Sequence, residues 1–328
     1  MLKHLLRGGG SGLDGDSWVT TLGGSGDDYG LSVAVAPDGS VYVCGHTSSV
    51  GAGSADLILV KFRSSGIVQW QKTLGGSTND YGYSVAVAPD GSVYVCGYTA
   101  ETTNGNPALL LVKFSSSGTV QWQKILDGRL TENGLSVAVA PDGSIYVCGH
   151  TSSVGAGRTD LVLAKFSSSG TVQWQKLLGG SANEYGQSVA VTSDGSVYVC
   201  GETYDNLLLA KFRSSGTVQW QKKLGGSSRD AGYSVAVAPD GSIYVCGETQ
   251  SAGAGSRDLL LAKITDSIIE KDTVTFGNFT FTDTSLTAQN APLTVTSSNL
   301  SVSNGNLTVG TPSLTVGTPS LTTNLYTL

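Results

Sequence analysis

Residues 84–99 read SVAVAPDGSVYVCGYT, and this stretch decides the fold. Two short apolar runs flank Pro89, Asp90 and Gly91. Proline presets φ and glycine tolerates a positive φ, so Pro-Asp-Gly between apolar runs predicts a tight turn. Further along, Leu109–Phe114 and Thr119–Leu126 flank a Ser-Ser-Gly turn, and the second alternates as a half-buried strand does. The unit is therefore predicted to contain four short antiparallel strands.

The unit occurs five times, and a cysteine and a tryptophan mark each copy. Both residue types recur at spacings of 52, 52, 52 and 46 residues, at Cys44, Cys96, Cys148, Cys200 and Cys246, and at Trp18, Trp70, Trp122, Trp174 and Trp220. A period near 50 residues with four strands per unit is typical of a propeller blade. The sequence therefore predicts an all-β, five-bladed propeller over residues 18–268.

The two ends of the repeat predict how the ring closes. Trp18–Leu22 is a fourth strand with no blade before it, whereas the fifth unit stops after its third strand, Asp258–Ile264. Pairing these segments would remove two open sheet edges. An open solenoid is the alternative, but it would need terminal caps that the sequence does not show.

The five units resemble the bacterial β-propeller repeat family, whose core reads S-V-A-V-x-x-D-G-S-V-Y-V-x-G-x-T. The match extends from residue 18 to about residue 265. The resemblance implies a propeller fold and says little about activity. The family is often described as seven-bladed, whereas this chain has five units.

The five cysteines are predicted to be free and buried. Each lies in an apolar Val-Cys-Gly run at the same place in its unit. Buried cysteine behaves as a small hydrophobe, and equivalent positions in neighbouring blades are expected to lie too far apart for a disulfide.

Residues 269–328 contain a second repeat, in which an apolar residue recurs at every seventh position. The series is Phe279, Leu286, Leu293, Leu300, Leu307, Leu314 and Leu321. A coiled coil would need two apolar seams and good helix formers, and this segment is rich in Pro, Gly and β-branched residues. It resembles the β-rich shafts of bacteriophage fibres and collar proteins, which implies a trimeric β shaft. A disordered Ser/Thr/Gly linker is the alternative.

Two sets of repeated positions are candidate binding residues. An acidic residue precedes the first strand of every unit and forms a candidate ligand or ion ring: Asp28, Asp80, Glu132, Glu184 and Asp230. Turn chemistry at the start of a strand is the alternative explanation. Candidate recognition positions, where the residue type varies between units, are His46, Tyr98, His150, Glu202 and Glu248. The variable loops that follow are expected on the same side of the molecule.

No catalytic or cofactor motif stands apart from the repeats, so we expect no catalytic residue, no cofactor and no enzyme activity. A net charge of −6 without a basic patch argues against nucleic acid as a partner. No stretch approaches the roughly 18 apolar residues of a membrane span. The apolar part of residues 1–17 is shorter than a secretory signal requires, and a flexible arm is expected there.

These features lead to one main functional hypothesis and two alternatives. The main hypothesis is a non-enzymatic bacteriophage virion protein: the propeller is a displayed head, and residues 270–328 form a homotrimer. Its partners would be itself, other virion proteins, and a glycan or protein of the host surface. The alternative is a bacterial cell-surface or periplasmic propeller that binds a glycan or protein. A propeller hydrolase is disfavoured because no acid pair is unique to one unit.

Overall fold

The computed structural model describes residues 18–102, 104–253, 255–284, 286–290, 293–297, 301–304 and 308–310. The arm at 1–17 and the last four members of the seven-residue series, Leu300, Leu307, Leu314 and Leu321, lie outside the described residues. Among the residues described, no helix is long and apolar enough to cross a membrane.

The repeat folds into antiparallel sheets, one per unit, and each sheet is called a blade here. A short strand, β1 (Thr21–Gly23), precedes blade 1. Blade 1 contains β2 (Asp28–Val35), β3 (Val41–Thr47), β4 (Asp56–Phe62) and β5 (Val68–Gly75). Blade 2 contains β6 (Asp80–Val87), β7 (Val93–Thr99), β8 (Ala108–Phe114) and β9 (Val120–Asp127). Blade 3 contains β10 (Glu132–Val139), β11 (Ile145–Thr151), β12 (Asp160–Phe166) and β13 (Val172–Gly179).

The last two blades differ in the number of strands that the repeat supplies. Blade 4 contains β14 (Glu184–Val191), β15 (Val197–Thr203), β16 (Asn206–Phe212) and β17 (Val218–Gly225). Blade 5 contains β18 (Asp230–Val237), β19 (Ile243–Thr249) and β20 (Asp258–Ile264). Strands pair in sequence order within each blade.

Glycine is required at two kinds of position in the blade. Gly91 has a φ of +81° in the predicted turn, where the Asp90 side chain accepts a hydrogen bond from the Ser92 amide at 2.8 Å. At Gly97 a Cβ atom would lie 1.7 Å from the carbonyl oxygen of Tyr81 on the neighbouring strand. The turn that the sequence predicts is therefore confirmed, and the close approach at Gly97 explains a second glycine of the motif.

Each blade packs its face against the first strand of the next blade. The first strand of blade 2, β6, contacts β2, β3 and β4, and the same arrangement recurs for β10, β14 and β18. Leu57 and Leu59 of β4 are fully buried in a cluster that includes Val85 of β6. The hydrophobic core is thus divided among the junctions between blades.

A tryptophan and a lysine connect each of blades 1, 2 and 3 to the next blade. Trp70 Nε1 and Lys61 Nζ both donate to the carbonyl oxygen of Ser116, at 3.2 and 3.4 Å. Trp122 and Trp174 bond to Ser168 and Ser214 in the same way. The aliphatic stem of Lys61 also places its ammonium over the Tyr42 ring, 5.3 Å from the centroid. The repeated tryptophan is therefore part of the blade junction.

The tail returns along the outer edges of the blades. After α1 (Asp266–Ile269) it contains β21 (Thr273–Phe276), β22 (Phe279–Asp283), β23 (Thr287–Asn290), β24 (Thr294–Ser297), β25 (Ser301–Asn304) and β26 (Thr308–Gly310). Strands β22 to β25 pair with the fourth strands of blades 4, 3, 2 and 1 in that order, and β26 pairs with β1. Strand β21 pairs with the far edge of β22.

The register of these pairings accounts for the seven-residue period. Positions seven apart in the tail lie opposite equivalent positions of successive units: Thr280 with Gly225, Thr287 with Gly179, Thr294 with Asp127, Ser301 with Gly75, and Thr308 with Gly23. Three apolar residues of the series, at or just before the starts of β22, β23 and β24, pack at junctions between blades. Phe279 packs at the junction of blades 4 and 5, Leu286 at that of blades 3 and 4, and Leu293 at that of blades 2 and 3.

Two expectations about the ends of the chain need correction. A β-rich tail is confirmed, but its described strands pair with the blades of the same chain and do not form a separate shaft. The predicted pairing of Trp18–Leu22 with Asp258–Ile264 is wrong, because β1 pairs with β26. No described strand pairs with the outer edge of β20, and the arc of blades is open.

The open arc also corrects the prediction of five buried cysteines. Cys44, Cys96, Cys148 and Cys200 are buried, whereas Cys246 is exposed, and all five are free. The four buried thiols lie under the first strand of the following blade, as the contact of Cys44 Sγ with the Gly82 carbonyl shows. Blade 5 has no following blade in the structure, so Cys246 stays accessible.

Candidate ligand-binding site

The five acidic residues of the predicted ring lie at the start of the first strands, and each has hydrogen-bond donors from its own unit. Glu132 accepts from Thr151 Oγ1 at 2.9 Å and from the Gly128 amide at 2.8 Å. Glu184, Asp80 and Asp230 also accept from a glycine amide four residues earlier, and all four side chains are buried. Asp28, in blade 1, makes the same type of contacts but is only half-buried. These contacts support the alternative explanation, a turn that stabilises the strand start.

One of these carboxyls lies close to a second buried acid. A Cβ atom on Gly75 would lie 1.7 Å from Asp56 Oδ1 and 3.0 Å from Asp80 Oδ2, so both carboxyls flank this glycine. Burial raises the pKa of Asp80 to about 6, and the charge of Asp56 adds to the shift. Both residues are at most 1% exposed, so a substrate could not reach them. Within the described residues no three acidic, histidine or cysteine side chains group as metal ligands.

The five candidate recognition residues lie on the second strands, next to the first strands of their blades. Directly opposite them are first-strand residues whose type also varies between blades: His46 faces Tyr29, Tyr98 faces Tyr81, His150 faces Asn133, Glu202 faces Tyr185, and Glu248 faces Ala231. The variable side chains therefore occupy the same position in every blade, near the start of the first strand and the end of the second strand. This is the end of the blades that carries the variable loops.

At blades 1 and 2 these positions form an aromatic cluster of Tyr29, His46, Tyr81, Tyr83 and Tyr98. The Tyr81 ring lies 4.1 Å from the His46 ring and 4.9 Å from the Tyr98 ring, measured between centroids. The His46 ring also stacks on Tyr29 at 4.6 Å. Burial lowers the pKa of His46, against the opposing charge of Asp28, and burial raises the pKa of Tyr83 and Tyr98. His46, Tyr83 and Tyr98 are therefore uncharged rings with polar edges at neutral pH.

Blade 3 continues the row with a histidine. His150 Nε2 lies 3.1 Å from Asn133 Nδ2, and its ring meets the edge of Tyr185 at 5.1 Å between centroids. Burial lowers the pKa of His150 to about 4, so the imidazole is neutral at pH 7. His150 is thus a hydrogen-bonding group without charge.

At blades 4 and 5 the equivalent second-strand positions hold Glu202 and Glu248, which form a charged cluster with Arg229 and Arg257, the residues just before β18 and β20. The Arg229 guanidinium donates to both oxygens of Glu202 at 2.6 Å and also bonds to Glu248. Arg257 approaches Glu248 at 3.3 Å. The hydrogen bond to Glu202 raises the pKa of Arg229. Two acids and two arginines leave the cluster without net charge.

The sequence prediction identified the second-strand members of this row and missed the first-strand members. Tyr29, Tyr81 and Tyr83 of the first strands, and Arg229 just before β18, were not among the candidates, although the sequence held a signal for the three tyrosines. In the first strand of each unit, the residues one and three positions before the serine of S-V-A-V vary between units, whereas the glycine between them and the residues after the serine do not. Variation inside a repeated strand indicates positions that the packing of the fold does not dictate.

At the opposite end of the first strands, the residue types are nearly the same in blades 1 to 3. There a cavity of about 430 Å³ is lined by Val, Ala and Pro side chains from blades 1 to 3, with Val35, Val87 and Val139 among them. These residues repeat from blade to blade and bring no hydrogen-bonding side chain to the cavity. The loop end is therefore the better candidate for specific recognition.

The repeated unit is similar to a known family of protein domains. A model described as a domain of unknown function with a β-propeller fold (DUF5122) matches residues 36–66, 88–120 and 140–172. Three of the five units therefore match a β-propeller repeat family. The regulatory protein FlaEY of Caulobacter vibrioides is 27% identical over 176 residues, which cover 47% of this chain and 18% of FlaEY. The chain thus spans under a fifth of that relative.

Solved structures with similar folds are distant. A gluconolactonase from Xanthomonas campestris is 11% identical, with 71% of each chain covered and a TM-score of 0.40. A carbohydrate-active enzyme from Trichoderma reesei is 11% identical over 65% of this chain and 77% of its own, with a TM-score of 0.34. Likeness at this level assigns neither a blade number nor an activity.

Proposed function

We propose that this protein is a non-catalytic binding module of a bacterial cell surface or periplasm, and that its ligand is a neutral glycan. The observation that carries the proposal is the row of variable side chains at the loop end of the blades. The row runs from the aromatic cluster of blades 1 and 2, through the neutral His150 of blade 3, to the charged cluster of blades 4 and 5, so it offers apolar rings, uncharged donors and paired ions.

The chemistry of a sugar suits such a row. A pyranose has an apolar C–H face that packs on an aromatic ring, and hydroxyls at its edge that exchange hydrogen bonds with imidazole, amide and carboxylate groups. Tyrosine provides both an apolar body and a polar tip. Because neither cluster has net charge at neutral pH, an uncharged saccharide fits better than an acidic one.

A binding role fits the surroundings of the acidic residues better than catalysis does. General acid–base chemistry needs a titratable group within hydrogen-bond reach of the substrate. Asp80, whose pKa is raised to about 6, is enclosed between Gly75 and Asp56. The absence of an enzyme activity and of a resident cofactor remains part of this proposal.

The virion hypothesis has less support than the binding-module hypothesis. It depended on a tail that stands apart as a shaft, and the described tail strands lie on the blades. A homotrimer through residues 270–328, virion partners, a virion location and ion binding at the acidic ring stay predictions.

Glycan-array screening followed by titration calorimetry tests the proposed function. We expect binding of a neutral oligosaccharide that Tyr81→Ala and Tyr98→Ala each weaken by roughly tenfold, the upper range for losing one aromatic contact. Tyr204→Ala is the matched control, because Tyr204 is 73% exposed in the short loop of blade 4 and lies outside the aromatic cluster. It should bind as the wild type does.

Unfolding midpoints of the three variants separate loss of binding from loss of folding. No binding to any neutral glycan by the folded wild type would contradict the proposal. Equal weakening by all three folded variants would also contradict it, because the aromatic cluster would then have no special role.

A further inference from the structure

The two ends of the arc expose apolar faces that are buried at every junction inside it. In blade 1 the first strand leaves Val33 at 64% and Val35 at 68% exposure, whereas the blade 2 equivalent of Val33, Val85, is at 6%. In blade 5 Leu259 is 80% and Leu261 is 65% exposed. We call the surface of Leu31, Val33 and Val35 the leading face, and that of Tyr244, Leu259 and Leu261 the trailing face.

These two faces are the two halves of one repeated junction. Leu57 and Leu59 of blade 1, the equivalents of Leu259 and Leu261, are fully buried where β6 covers them. The junction also has a polar contact, in which the Val85 amide donates to Ser32 Oγ at 3.2 Å; it recurs from Val137 to Ser84, from Val189 to Ser136 and from Val235 to Ser188. The trailing face therefore has the shape and chemistry that bind a leading face.

Next to the leading face lies β1, which could serve as the fourth strand that blade 5 lacks. Trp18 donates from Nε1 to the Ser64 carbonyl at 2.8 Å, as Trp70 does to Ser116. Strand β1 thus occupies the position of a fourth strand in a blade preceding blade 1. One of its edges pairs with β26. Its other edge could pair with β20 in the register that joins β4 to β5, with Leu22 opposite Leu259 as Leu74 lies opposite Leu57.

We propose that the trailing face of blade 5 binds the leading face, together with β1, of a second copy of this chain. In one chain the two faces lie at opposite ends of the arc and do not contact each other. A second copy presents the same surface that covers blades 1 to 4, so the contact continues an interface already made four times. Such a head-to-tail contact closes into a ring when the rotation allows it and otherwise extends as a filament.

Complementation between two variants tests the proposal. Val33→Asp damages only the leading face and Leu261→Asp only the trailing face, and both sites are exposed in one copy, so both variants should fold. Sedimentation velocity and light scattering should show dimers or larger assemblies for the wild type. Each variant alone should associate roughly 100-fold more weakly, because the new charge would be buried at the contact.

An equimolar mixture of the two variants should recover a heterodimer and stop there, because one intact leading face and one intact trailing face remain. Ile67→Asp, at an exposed turn of blade 1, is the matched control and should assemble as the wild type does. A wild type that stays monomeric at all concentrations would overturn the proposal. Assembly that survives in both single variants would overturn it as well.

Discussion

Blades 2 and 5 have nearly the same sequence but different surroundings. Leu111 and Cys96 in blade 2 are fully buried, whereas Leu261 and Cys246 occupy the same positions in blade 5 and are exposed. The backbone pairing is the same in both, with matching registers in the first three strands. The comparison shows that a repeated sequence specifies the blade, while burial depends on whether another blade follows it.

Leucine truncation should give the largest difference between the two blades. Leu111→Ala should lower the free energy of unfolding by about 2–5 kcal/mol, the range for emptying a buried leucine site. Leu261→Ala should change it by less than about 0.5 kcal/mol, as exposed substitutions do. Denaturant unfolding in dilute solution, where the proposed association is absent, measures both. Equal losses would show that blade 5 is covered in the single chain.

Thiol labelling compares the same blades without a change of sequence. Burial raises the pKa of the Cys96 thiol well above its usual value, which suppresses the reactive thiolate. We expect one thiol per native chain to react with a disulfide reagent, and the other four to react at least ~100-fold more slowly. Cys246→Ser should remove the fast phase.

The protein concentration provides a control for the labelling experiment. Dilute protein should react fastest, because a second copy bound at the trailing face would cover Cys246. Native labelling of two or more thiols would contradict the buried junctions, and a fast phase that survives in the Cys246→Ser variant would do so too.

The smallest expected effect is the pH dependence of stability, which should differ between Asp80 in blade 2 and Asp28 in blade 1. Burial raises the pKa of Asp80 from 3.8 to about 6. Between these two pH values the Asp80 carboxyl is protonated in the folded state and ionised in the unfolded state. Stability should therefore fall by about 1–3 kcal/mol between pH 4 and pH 6. Asp80→Asn should remove this fall, as unfolding midpoints against pH would show.

Asp28 should show the opposite sign. Its partial burial favours the neutral form, but hydrogen bonds from Thr47, Gly24 and Ser49 outweigh it and lower the pKa below 3.8. Its contribution to stability is then present above pH 4 and lost as the pH falls through the lowered pKa. Asp28→Asn should reduce the acid sensitivity. The same sign for both variants would contradict the difference in burial between the two blades.

The features that could be predicted from the sequence depend on contacts that are local and repeated. The turn at Gly91 and the strand alternation around Trp122 follow from backbone preferences and the period of apolar residues, so both could be predicted. The aromatic cluster was only half predicted, because Tyr81 meets His46 across a blade junction. No local pattern indicates which two blades bring their side chains together.

The amino-acid sequence by itself determined the strands, the turns, the five-fold repeat and the β character of the tail. Each depends on residues that are near neighbours along the chain. Only the tertiary structure decided which edge each tail strand pairs with and which cysteine is exposed. An open strand edge accepts any strand of matching length, so its partner depends on where the packed blades place that edge. For that reason the seven-residue period of the tail is explained by the pairing of each described strand from β22 to β26 with a strand of its own.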